Sequence, residues 1–294
     1  MRRRSGKARM IGWVILLAMT ILLYQATLVH LFGRWWNDPT YSHGLLVPPI
    51  TLFFLYDKRE MLEKVIGRGS LWGMVGLVGW IAAFFFGRLG GMHFVQAISF
   101  IGVLAALVLL VEGWGFLKLA AFPLLFLLFM CPLPAAIYEP VSAQLRLLAS
   151  VVATAILQMM GVVAARSGNI IYLASGTLAV DDACSGIRSL FGITATATAF
   201  AWMIPGGWPR KAVLIISAVP IAVVTNILRV AGTGLLYQYA GPQFAEGFYH
   251  SLEGWVFYVV ALAVLFGQFF LLKAVFPIEQ TEETEGPKGR EGGA

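Results

Sequence analysis

Long runs of apolar residues, divided by short polar stretches, restrict what this chain can fold into. Hydrophobic residues make up 59% of the 294 residues and charged residues only 12%, whereas a soluble domain carries about 25% charged residues. Because so little polar surface cannot shield the apolar residues from water, the chain needs a bilayer as its solvent. The sequence therefore predicts an all-α polytopic integral membrane protein of about eight transmembrane helices, near residues 10–32, 44–56, 70–87, 93–111, 115–131, 186–204, 211–232 and 251–273.

Two apolar stretches need separate treatment. The run 44–56 is short for a span, which takes about 20 residues, so it either extends back through the His43 region or lies tilted. The stretch 140–161 is apolar, but it contains two glutamines and an arginine and follows a proline-rich segment. We expect it to form an amphipathic or partly buried helix that does not cross the membrane.

The distribution of basic residues favours one orientation. With 140–161 outside, 15 of the 21 Lys and Arg residues fall in cytoplasmic segments, and six fall on the outer side or at span ends. An excess of Lys and Arg is typical of cytoplasmic loops. If 140–161 crossed, Arg210, Lys211 and Lys273 would move outside and the excess would shrink. We therefore expect both termini to lie in the cytoplasm.

The chain divides into a multi-span membrane domain, residues 1–275, and a tail, residues 276–294. The tail is charged and poor in apolar residues, so we expect a disordered cytoplasmic segment. The first apolar run is too long for the hydrophobic region of a signal peptide, and we interpret it as a retained first span. Between 162 and 182 apolar and polar residues alternate, which predicts a small extracytoplasmic β-hairpin.

Three reactive side chains lie near the outer ends of the last three runs: Cys184, Arg229 and His250. Cys184 stands at a helix start, where partial positive charge and free N–H groups favour a thiolate and can hold an oxyanion. His250 can accept the thiol proton and later return one to a leaving amine. Arg229 stays protonated, so its possible roles are to stabilise the thiolate or the oxyanion, or to bind a carboxylate.

Further polar residues near these positions are candidate supporting residues: His43, Asp182, Ser185, Arg188 and Asn226. His43 is a second candidate proton carrier. Each main candidate also has an ordinary structural explanation. A membrane cysteine often only packs, an arginine at a span end can extend to the headgroups, and a single histidine is often interfacial.

The sequence gives no sign of a metal or cofactor site. No cysteine–histidine spacing indicates zinc, and no glycine-rich loop would hold a phosphate. The net charge of +6 is not gathered into a basic stripe with exposed aromatic residues, so we expect no nucleic-acid partner. We expect Cys131 to pack in the interior, and two cysteines leave a single bridge open as a possibility.

The candidate residues resemble those of the exosortase/archaeosortase family of membrane transpeptidases. The resemblance rests on DACSGIRS at 182–189, NILR at 226–229 and YHSLEGW at 249–255, with YSHG at 41–44 followed by Pro48. It covers about residues 30–273. One position differs, because the family more often has Glu where this chain has Asp182.

This resemblance implies a Cys/Arg/His site at Cys184, Arg229 and His250. It implies a cysteine peptidase and transpeptidase in the plasma (cell inner) membrane that cleaves C-terminal sorting signals of the Pro-Glu-Pro type at the extracytoplasmic face. The cleaved protein would pass to an acceptor nucleophile that the sequence does not identify. The implied partners are the bilayer and substrate proteins that end in a short motif, one span and a basic tail. The genes of this family often accompany exopolysaccharide synthesis.

An alternative from another class is a non-enzymatic transporter or assembly component for envelope polysaccharide. A transporter should carry ionisable residues or broken helices near the midplane of several spans. In this sequence the ionisable residues cluster at one face, which favours chemistry at the membrane surface.

Overall fold

A computed structural model describes residues 6–180, 186–204, 207–241 and 247–275, and these are almost entirely helical. The prediction of an all-α polytopic membrane protein is confirmed. The tail 276–294 lies outside the described residues. The described helices are α1 (Gly6–Asn37), η1 (Pro39–Leu45), α2 (Val47–Asp57), α3 (Arg59–Lys64), α4 (Trp72–Leu89), α5 (His93–Glu112), α6 (Trp114–Phe126), η2 (Leu127–Met130), α7 (Ala135–Met159), α8 (Ile187–Met203), α9 (Trp208–Tyr239) and α10 (Gly247–Val275), with η marking 3₁₀ helices.

Six of the described helices are long and apolar enough to cross a membrane, namely α1, α4, α5, α7, α9 and α10. The shorter apolar segment Trp114–Met130 combines α6 and η2, while α2 and α8 have 11 and 17 residues. Because a crossing takes about 20 helical residues, helix length alone does not confirm the expected count of eight.

Contacts between helix termini define two ends of the bundle. We name the first the Trp202 end. Here α1 begins and α5 ends, and buried Glu112 accepts a hydrogen bond from Nε of Arg9 at 2.9 Å. The ends of α2 and α8 and the start of α9 lie at the same end, where Lys58 and Lys211 approach the Trp202 ring.

The opposite end is named the Tyr41 end. Here η1 fits between the end of α1 and the starts of α7 and α8. Tyr41 is buried, and its ring centroid lies 6.4 Å from those of Tyr138 on α7 and Phe191 on α8. The indole Nε1 of Trp35 donates to the carbonyl of Met130, at the end of η2, at 2.8 Å.

The helices α9 and α10 pack against each other in opposite directions. Ser217 Oγ donates to Gln268 Oε1 at 2.7 Å, and further along α9 Gly232 lies against the ring of Phe257. With 32 residues, α9 is about 48 Å long, which exceeds the hydrocarbon thickness of about 30 Å. Gly73 lies against Leu110 and Gly87 against Val95, so α4 and α5 are antiparallel as well. Together with the contacts at the two ends, these pairs make the bundle alternate in direction through α1, α2, α4, α5, α6, α8, α9 and α10.

The stretch expected at 140–161 forms α7, which starts at Ala135. By length and composition α7 can cross a membrane, so in that respect the prediction of a non-crossing helix is not supported. Its contacts begin at the Tyr41 end with Tyr138 and continue to Leu157, which lies against Gly234 of α9. Thus α7 runs parallel to the second half of α9 and leads from the Tyr41 end toward the sheet.

The sheet is a three-stranded antiparallel meander, so the predicted hairpin is one strand short. Its strands are β1 (Ala164–Ser167), β2 (Ile170–Leu173) and β3 (Gly176–Ala179). One face joins a hydrophobic core with α7 and α9. The turn before β3 is tied to the end of α9, because Ser175 Oγ donates to Gln238 Oε1 at 3.0 Å.

Candidate active site

Cys184, Asp182 and Ser185 lie outside the described residues, but the residues on both sides of 181–185 are described. On the N-terminal side, buried Val180 pairs with Asn169. The Val180 N–H donates to the Asn169 carbonyl at 2.9 Å, and Asn169 Nδ2 donates to the Val180 carbonyl at 3.0 Å. These two bonds fix the point at which the chain leaves the sheet, four residues before Cys184.

On the C-terminal side, Gly186 precedes α8 with a φ of +77°, a left-handed conformation that favours glycine. A Cβ at this position would also lie only 2.7 to 2.9 Å from side-chain atoms of Asn226. Backbone conformation and space therefore both require glycine here, two residues after Cys184. This close approach sets the start of α8 against α9 at Asn226.

Arg229 lies one helical turn after Asn226 on the buried face of α9. Its side chain is 8% exposed, and that of Asn226 is 5% exposed. Thr233, one turn further, donates from Oγ1 to the Arg229 carbonyl at 3.0 Å. Burial distinguishes Arg229 from an arginine that extends to the headgroups, because such a side chain keeps its charged end in water. A buried ionisable residue in a membrane helix is by default a candidate for function.

His250 falls in the first turn of α10, and its side chain lies outside the described residues. The antiparallel packing of α9 and α10 brings the start of α10 to the end of the bundle that holds Gly186 and the second half of α9. On α8, Gly192 lies 3.3 Å from the Tyr258 ring of α10, measured from a Cβ built on the glycine. The backbone thus gathers the starts of α8 and α10 around one stretch of α9.

His43 is held between three elements at the Tyr41 end. Its Nε2 lies 3.1 Å from the Phe129 carbonyl, which can only accept, so Nε2 carries the hydrogen. Its ring stacks with Phe191 in the second turn of α8, at a centroid distance of 6.3 Å. Burial lowers the pKa of His43, although the carbonyls of Phe129 and Thr40 act in the opposite sense. Burial thus favours the neutral ring of His43, which packs against α8 from the side of η1.

Sequence reasoning missed two features that help to position the candidate site. A pocket between α7, α8 and α9 is lined by Leu145 and Ala149 together with Gly186 and Asn226. The sequence predicted α7 only as an amphipathic or partly buried helix, because it has no signal for the helices that α7 contacts. The two hydrogen bonds between Asn169 and Val180 were also missed. The one feature of the sequence that could have indicated them is the Ser-Gly-Asn turn at 167–169.

Arg188 and Cys131 are the remaining residues that the sequence analysis considered. Arg188 lies half-buried in the first turn of α8, and like Asn226 and Arg229 it has interaction partners. Cys131 is 6% exposed and packs in the core near the end of η2. Across the described residues, His, Cys, Asp and Glu form no group of three or more that could hold a metal ion.

Comparison with known protein families identifies the family of this chain. The sequence model of the transmembrane exosortases (Exosortase_EpsH) matches residues 35–267, from the end of α1 into α10, and this range includes Cys184, Arg229 and His250. No curated protein and no solved structure matches the chain significantly. The family supports a general role in transpeptidation and protein sorting, and the long apolar helices agree with a multi-pass membrane protein. Because the match covers most of its length, the chain belongs to the transmembrane exosortase family.

Proposed function

We propose that this protein is a membrane cysteine transpeptidase that cleaves C-terminal sorting signals and transfers the protein to an acceptor nucleophile. The observation that carries the proposal is the packing of Gly186, two residues after Cys184, against Asn226, one turn before buried Arg229. Family membership and the start of α10 at the same end of the bundle support it.

In the proposed reaction Cys184 is the nucleophile. Its thiolate attacks the scissile carbonyl carbon, and the tetrahedral intermediate collapses to a thioester as the C–N bond breaks. Protonated His250 gives its proton to the leaving amine. The acceptor nucleophile then attacks the thioester, its proton passes to His250, and the thiolate leaves. Arg229 stays charged throughout and stabilises the oxyanion of both intermediates.

The proposal also fixes an orientation. Eight segments cross the membrane, namely α1, α2, α4, α5, α6 with η2, α8, α9 and α10. The helix α7 and the sheet then lie outside, both termini lie in the cytoplasm, and the site faces the extracytoplasmic side of the inner membrane. The alternating helix directions and the excess of basic residues in the cytoplasmic segments support this orientation.

The substrates follow from the family resemblance. They are proteins that end in a Pro-Glu-Pro type motif, one span and a basic tail, and their processing serves exopolysaccharide and envelope production. His43 and Asn226 support the site by their contacts with the start of α8, and Asp182, Ser185 and Arg188 are further supporting residues in this proposal.

The test is substitution of the nucleophile in cells that also produce a substrate protein with such a C-terminus. Cys184→Ala should abolish cleavage while the protein stays in the membrane at normal abundance, because a small replacement costs little packing. Cys131→Ala, the matched control, should keep cleavage. Undiminished cleavage by Cys184→Ala would exclude covalent cysteine catalysis.

A further inference from the structure

The Trp202 end of the bundle gathers positive charge around one indole ring. Lys58 directly follows α2, and Lys211 belongs to the first turn of α9. Their Nζ atoms lie 5.7 and 5.9 Å from the centre of the Trp202 ring. Phe122 of α6 stacks on the same ring, with centroids 4.2 Å apart and planes 6° apart. Two ammonium groups and one phenyl ring therefore meet at this indole.

Among the described residues, one carboxylate forms a salt bridge with these two ammonium groups. Asp57 lies 3.5 Å from Nζ of Lys58, but both side chains are partly exposed, so this pair is weak. No carboxylate among the described residues forms a salt bridge with Lys211. Arg210 adds a further positive charge beside it, and the first turn of α9 has no acidic residue. Because like charges held near one ring repel each other, an anion would stabilise this arrangement.

The indole itself adds a third donor. Its Nε1 is buried, and the described residues offer it no acceptor. Such a buried N–H is costly unless some group accepts its hydrogen bond. Ammonium and indole N–H groups only donate, so together they suit an oxyanion with several acceptor oxygens, such as a phosphate group.

The position of this junction indicates where the phosphate comes from. Exposed tryptophans stand at the starts of three helices at the same end: Trp72, Trp114 and Trp208. Tryptophan is enriched where membrane meets water, so this end lies at the level of the lipid headgroups. Basic pockets between transmembrane helices bind anionic headgroups at that level.

We propose that Lys58, Lys211 and Trp202, at the junction of α2, α8 and α9, bind the phosphate group of an anionic phospholipid. The acyl chains would lie along the lipid-facing surface of the same helices. The bound lipid bridges the end of α2 to the hairpin of α8 and α9, the hairpin that carries Arg229 on its other end.

The experiment titrates the purified, delipidated full-length protein with phosphatidylglycerol and counts bound lipids by native mass spectrometry. The double variant Lys58→Gln/Lys211→Gln should bind about 25-fold more weakly, at about fivefold for each basic residue. The matched control Lys118→Gln removes the same charge from an exposed position on α6 near the same end, and it should bind like the wild type. Lys58→Arg/Lys211→Arg keeps both charges and should keep binding, which separates loss of the site from loss of the fold.

Two further ligands distinguish the sources of the phosphate. Phosphatidylcholine, whose headgroup has no net charge, should bind weakly, and inorganic phosphate should not displace phosphatidylglycerol. Equal binding of phosphatidylglycerol by the double variant and the wild type would overturn the proposal, and so would equal binding of phosphatidylcholine. Displacement of the lipid by inorganic phosphate would show that the site takes the free anion and that the lipid assignment is wrong.

Discussion

Arg229 holds a permanent charge inside the protein, on the face of α9 that also carries buried Asn226. The guanidinium donates through a planar fork, which the point charge of a lysine cannot reproduce. If Arg229 stabilises an oxyanion, Arg229→Lys should lower the rate of substrate cleavage about a hundredfold at unchanged abundance in the membrane. Arg166→Lys, at an exposed position of β1, is the control and should cleave normally. Normal cleavage by Arg229→Lys would reduce Arg229 to a packing role.

His43 makes stability depend on pH in a defined direction. Burial lowers its pKa in the folded protein below the ordinary value of 6.5, so below that pH the unfolded chain binds the proton more readily. His43 therefore destabilises the fold as the pH falls below 6.5 and has no such effect above it. His43→Gln keeps a donor for the Phe129 carbonyl but does not titrate. Between about pH 8 and about pH 5, the melting temperature should fall less in His43→Gln than in the wild type. Equal decreases in the two proteins would show that His43 does not contribute to the pH dependence of stability.

At the scale of elements, the start of α8 depends on one glycine. Gly186→Ala places an alanine in the left-handed conformation, which lowers the free energy of unfolding by about 1–2 kcal/mol. The new Cβ also collides with the Cβ and Cγ atoms of Asn226. Gly161→Ala is a matched control, because its φ is +81° and a Cβ there meets nothing within 4 Å. Thermal unfolding in detergent should show a larger loss for Gly186→Ala than for Gly161→Ala, and cleavage should fall only in the former. Equal losses would mean that the contact with Asn226 has no effect beyond backbone strain.

The long helices were predictable from the sequence, and the short elements were not. An apolar run of 20 residues forms a helix in a membrane because every backbone group must be bonded within the chain. The 3₁₀ helix η1 has no such periodic signal, yet it places His43 and Tyr41 against α8. The third strand was not predicted either, and the bond that ties the turn before it to α9 joins Ser175 to Gln238, 63 positions apart.

At the scale of the molecule, the sequence does not show which helices are neighbours, and polar contacts between distant helices determine this. The helices α1 and α5 are joined by polar groups: Thr27 donates to Gln96 at 2.9 Å, and Tyr24 lies 3.0 Å from Ser99. Buried Glu112 accepts from Trp13 as well as from Arg9. Such bonds specify neighbours inside a membrane, where apolar contact with lipid is nearly as good as contact with protein. The three candidate catalytic residues could be chosen from the sequence, but the helix contacts at Asn226 required the fold.

The side of the membrane on which α7 lies is a test of the proposed topology. Its length allows a crossing, whereas its contacts start at the Tyr41 end and continue along the second half of α9. If α7 stays outside, reporters fused after Pro134 and after Gly168 should both read as extracytoplasmic, and a reporter fused after Gly207 should read as cytoplasmic. A crossing α7 would put Pro134 and Gly168 on opposite sides. A cytoplasmic reading at Gly168 would also place the Cys184 loop on the cytoplasmic side, where the proposed sorting reaction does not occur, so this one series of fusions tests both the topology and the site.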